Sequence, residues 1–113
     1  MLYLAIGLFV LAAIFGLIVL TAILRDKPTP KPVVFIHGTV AAIALLLVIY
    51  FIAQNNGSGP IVSLVLFVLA ALGGLTLFTI DMKKKPIPKW IAIIHPVVAA
   101  AGLIALILYV VKG

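Results

Sequence analysis

His37 and His95 have the most chemistry to offer in this chain, because each stands inside a long apolar run behind the same lead-in. KPTPKPVVFIHG covers residues 27–38 and KPIPKWIAIIHP covers 85–96, so in both a Lys-Pro-x-Pro-Lys segment is followed by five residues and then a histidine. Imidazole is the commonest metal-ligating side chain, and ionisable residues inside apolar segments are costly and usually functional. The chain has no cysteine, which excludes disulfides, thiolate metal sites and iron–sulfur clusters. Two imidazoles with no nearby thiolate or carboxylate fall short of the four ligands zinc prefers. A cofactor that needs only two axial ligands fits the pair better, although duplication would copy a structural histidine just as faithfully.

The elements that carry these histidines follow from composition. Of 113 residues, 66% are hydrophobic and 9% charged, a balance unsuited to a soluble domain. Four apolar runs, about 2–24, 33–53, 61–80 and 90–111, each reach the roughly 20 residues a helix needs to span about 30 Å of hydrocarbon. Barrel strands are half that length and alternate in polarity. The expected fold is therefore an all-α integral membrane protein, a four-transmembrane-helix up-down bundle forming a single membrane domain over 1–113. Tyr3, Tyr50, Tyr109 and Trp90 lie near run ends, where aromatic side chains anchor at the interface.

Arg25, Lys27, Lys31, Lys83, Lys84, Lys85 and Lys89 lie in the first and third connections, and of the basic residues only Lys112 lies elsewhere. The positive-inside rule then places both basic loops in the cytoplasm and both termini outside, and a multi-pass protein of a bacterial inner (cytoplasmic) membrane is expected. The net charge of +6 is confined to two short juxtamembrane loops, so the lipid bilayer and anionic groups at its surface are the expected partners and nucleic acid is not. The first run has no basic n-region and no small-residue cleavage site, and it reads as a retained helix.

The halves repeat. His37 pairs with His95, Lys27 with Lys85, Gly16 with Gly74 and Thr21 with Thr79, a constant offset of 58 residues that also aligns LFVLAAIFGL (8–17) with LFVLAALGGL (66–75). Repeat 1 covers about 1–56 and repeat 2 about 59–113, two tandem duplicated helical hairpins. A two-helix unit returns the chain to the side it started from, so the repeat is parallel, with a pseudo-twofold axis along the membrane normal. The histidines then share one depth, about 9 Å inside the basic boundary at 1.5 Å per residue. The second and fourth helices of such a bundle are diagonal neighbours that can point side chains at its axis.

Two equal-depth imidazoles facing each other across a bundle suit the axial positions of one haem b per chain. Ala41 and Ala44 follow His37 on its own helix face, and Ala99 and Gly102 follow His95, giving the clearance that a flat macrocycle needs. Gly16 and Gly74 on the other two helices would let a ring edge approach the backbone, although small residues in membrane helices also serve packing. Lys27, Lys31, Lys85 and Lys89 could pair with the propionates from proline-stiffened loops. Pro96 removes the amide that would bond the Ala92 carbonyl, and that carbonyl is expected to receive His95 Nδ1–H instead.

Four spans, His37 and His95, and the nearby glycines make the chain resemble the small four-helix membrane b-type cytochromes, the cytochrome b561-like class. The resemblance implies haem held by transmembrane histidines and one-electron transfer, to a quinone or a redox partner subunit, by an electron carrier more than a stand-alone enzyme. Members commonly carry two histidine pairs, whereas this chain has one, so a two-haem route across the membrane is not implied. A homodimer sharing haem between chains satisfies the same residues. The alternatives are a non-haem structural or assembly subunit and, less well supported, a small-molecule transporter. Proton-coupled exporters of the small multidrug resistance family need a carboxylate in the membrane, and this chain has no glutamate, with Asp26 and Asp81 at loop edges.

Overall fold

The computed structural model describes residues 1–112; Gly113, the end of the expected second repeat, lies outside them. Four helices account for nearly all of the described chain: α1 (Leu2–Leu24), α2 (Lys31–Gln54), α3 (Ile61–Met82) and α4 (Lys89–Lys112). All four are long and apolar enough to cross a membrane, and there is no strand among the described residues. Their outward faces carry large uncovered side chains such as Leu46, Leu75 and Val97. A helix satisfies its backbone internally, so such faces are stable against lipid.

The helix boundaries have local causes. Pro30 precedes α2 with φ −73°, and Pro60 precedes α3 with φ −78°; the proline ring fixes a helix-compatible φ where no amide partner is needed. After α1, Asp26 takes a left-handed φ of 55°, its N–H bonding Ile23 and that of Lys27 bonding Ala22. Lys84 does the same after α3 at φ 56°, with Lys84 N–H on Asp81 and Lys85 N–H on Ile80. Both are Schellman-type ends, which satisfy the last carbonyls and reverse the chain sharply. Pro96 lies inside α4, which continues unbroken through it.

Packing is closest within the hairpins α1–α2 and α3–α4; the hairpins meet mainly along α1–α4, with a lighter α2–α3 seam. This leaves α1/α3 and α2/α4 as the two diagonals, each bridged by a ring pair. Phe9 and Phe67 stack across the first with centroids 3.8 Å apart and planes 6° from parallel. Below them the core continues through Ala5, Ala44, Val48 and Leu106, all fully buried. Ser63, also buried, donates its hydroxyl to the Gly102 carbonyl at 2.8 Å. Small residues let these backbones come close, as association between apolar helices requires.

Candidate functional site

His37 on α2 and His95 on α4 meet across the second diagonal, ring centroids 6.2 Å apart and planes at 88°. Each reaches out of its own helix to a backbone carbonyl of its hairpin partner. His37 Nδ1 lies 2.7 Å from the Ala12 oxygen on α1, and His95 Nδ1 lies 2.8 Å from the Ala70 oxygen on α3. A carbonyl can only accept, so Nδ1 carries the proton in both rings and a neutral imidazole keeps its lone pair on Nε2. Neither Nε2 has a hydrogen-bond partner among the described residues, and neither is a sealed, unsatisfied atom. The His95 proton goes to Ala70, not to the Ala92 carbonyl expected from Pro96. The reason lies across the hairpin, where Gly74 leaves room for the ring to reach α3.

The glycines admit the imidazoles. A Cβ on Gly16 would stand 3.0 Å from His37 Cε1 and 3.3 Å from its Nδ1, and one on Gly74 would stand 3.0 Å from His95 Cε1. These distances are tighter than ordinary side-chain contact, so a side chain at either place would push the ring off its carbonyl. Gly73 also faces His95, at 3.8 Å. Gly102 serves the core next to the site, because its Cβ would lie 3.1 Å from Phe67 and 3.3 Å from Leu66 Cβ. Ala44 is fully buried in that same core, and Ala41 and Ala99 are half-buried.

The four lysines divide into two kinds. Lys31 pairs with Asp81 at 2.7 Å and Lys89 with Asp26 at 3.2 Å. Both bridges run between hairpins, at the first residues of the helices that carry the histidines. Thr29 completes the first bridge: buried in the loop, it donates to Asp81 at 2.7 Å and accepts from Lys31 at 2.6 Å. Lys27 and Lys85 are exposed and make no ion pair among the described residues.

Two imidazoles on one metal would have ring centroids roughly 6 Å apart, and the 6.2 Å spacing is of that size; each Nε2 lies beside its hairpin partner, 3.7 Å from a Cβ position on Gly16 and 3.6 Å from one on Gly74. A carbonyl fixing the far nitrogen is the usual support for a metal-bound histidine. Two neutral imidazoles are the kind of donor pair that would hold a haem. Space is tighter, since Phe9 lies three residues from Ala12 and Phe67 three from Ala70, so the aromatic stack borders the pair and a macrocycle between the rings would displace it. No cluster of three or more metal-ligating side chains exists among the described residues.

Sequence reasoning missed the Ala12 and Ala70 carbonyls, the Phe9–Phe67 stack and the inter-hairpin bridges. The sequence held a signal for the first two, because LFVLAA occurs at both 8–13 and 66–71 and sets Phe9 and Ala12 against Phe67 and Ala70. Nothing signalled Thr29, whose counterpart is Ile87. No protein-family model, curated protein or solved structure matches the chain.

Proposed function

We propose that His37 and His95 are the axial ligands of one haem b held between the two hairpins of this membrane bundle, and that the protein carries single electrons. One observation carries the reading: imidazoles from separate hairpins face each other with centroids 6.2 Å apart, each with Nδ1 committed to a carbonyl and an Nε2 lone pair that would be free to bind iron. Haem with both axial positions filled supplies reversible one-electron chemistry with no open site for oxygen. The chain's part is to orient the rings through Ala12 and Ala70, to exclude water with apolar helices, and to present cations to the propionates. Lys27 and Lys85 suit the last role, because Lys31 and Lys89 are already paired. To hold the group, Phe9 and Phe67, stacked 3.8 Å apart, would have to separate.

The orientation that agrees with this reading places both basic loops in the cytoplasm of a bacterial inner-membrane protein, with a quinone or a partner subunit exchanging electrons there. The test is a visible spectrum of the detergent-purified chain, oxidised and dithionite-reduced, beside His37→Ala and His95→Ala. The expected result is a Soret band with sharp reduced α and β bands, lost in either variant. A colourless protein that takes up no added haemin overturns the reading.

A second reading has an observation of its own. Both histidine bonds lie within a hairpin, and both rings fill a space left by glycine, which is what a structural clamp between paired helices does. A colourless chain destabilised by either histidine variant selects that alternative.

A further inference from the structure

We propose that the end of the bundle carrying the two basic loops is a docking surface for the headgroup of an anionic phospholipid. The loops follow α1 and α3, whose ends lie together because Lys31 of one hairpin holds Asp81 of the other and Lys89 holds Asp26. Those bridges use both acidic residues of the chain. Arg25, Lys27, Lys83, Lys84 and Lys85 remain, all exposed and all without an anionic partner among the described residues. Five cations from two loops thus share one end of the bundle.

The place of the patch identifies its occupant. Arg25 caps α1 and Lys83 caps α3, so the cations sit where membrane-length helices end, at the level of lipid phosphates. Trp90, in the first turn of α4 and 64% exposed, stands at that level with its ring turned outward, as interfacial tryptophans do. The left-handed turns at Asp26 and Lys84 bend each loop back over its own helix end and keep the charges close to the membrane plane. A juxtamembrane cluster of this size attracts anionic lipid, each basic residue contributing roughly fivefold in affinity. The patch shares Lys27 and Lys85 with the haem reading, whereas Arg25, Lys83 and Lys84 serve it whether or not the histidines hold haem.

The experiment follows thermal unfolding of the delipidated chain in neutral detergent as phosphatidylglycerol, phosphatidylcholine or inorganic phosphate is added, at low and at high salt. Phosphatidylglycerol alone is expected to raise the transition temperature, with the effect shrinking at high salt. The K83Q/K84Q/K85Q variant should require about a hundredfold more of that lipid, while K112Q, at the opposite end, should behave like the native chain. An equal shift with phosphatidylcholine or free phosphate, a shift indifferent to salt, or an unchanged triple variant overturns the proposal. Should the triple variant fail to fold, the headgroup and salt comparisons on the native chain decide alone.

Discussion

Gly16→Ala tests whether the glycines exist to seat the imidazoles. The added methyl would stand 3.0 Å from His37 Cε1, where ordinary contact begins near 3.4 Å, so the ring must retreat by several tenths of an ångström. Retreat is opposed by the 2.7 Å bond from Nδ1 to the Ala12 oxygen. Overpacking of this kind costs about 1–3 kcal/mol, and weakening the hydrogen bond adds up to about 1 kcal/mol. Alanine recovers about 1 kcal/mol of helix propensity. A net loss of about 2 kcal/mol is expected. Gly7 and Gly38 supply the control, because a Cβ at either meets nothing within 4 Å, and alanine there should be neutral or stabilising by up to about 1 kcal/mol. Unfolding in detergent measures all three, and a double-mutant cycle isolates the contact. In a His37→Ala background the Gly16→Ala penalty should vanish. A penalty that survives removal of the ring, or one no larger than at Gly7, would refute the argument that the glycine seats the histidine.

Ser63→Ala should lower stability by about 1 kcal/mol in the same unfolding assay, because it removes the buried 2.8 Å hydrogen bond that ties α3 to the Gly102 carbonyl of α4. Asp81→Asn and Asp26→Asn should differ. The Asp81 side chain is 15% exposed and holds both Lys31 and Thr29, whereas Asp26 is 78% exposed with one partner at 3.2 Å. A loss of about 1 kcal/mol is expected for Asp81→Asn, reduced in high salt, and less than about 0.5 kcal/mol for Asp26→Asn. Equal effects would contradict the ranking by burial.

Much of the architecture was legible because membrane helices leave the chain few choices. Apolar length set the four spans, and the four helices follow them closely. The hydrogen-bond partners of those histidines were not legible. A side-chain donor facing a neighbouring helix can take any carbonyl within reach, and backbone carbonyls carry no residue signature. Pro96 drew attention to Ala92, while the available acceptor lay on α3 at Ala70.

Hydropathy along the chain is enough to specify four membrane-length helices with seven of the eight basic residues in or beside two connections. Local rules suffice for that, since hydropathy and helical rise both act along the chain. Tertiary structure alone decided that the rings face each other 6.2 Å apart, that Gly16 and Gly74 make room for them, and that Asp26 and Asp81 tie the hairpins together. Those outcomes depend on the rotation of each helix about its axis, which close packing across two diagonals fixes and no single helix encodes.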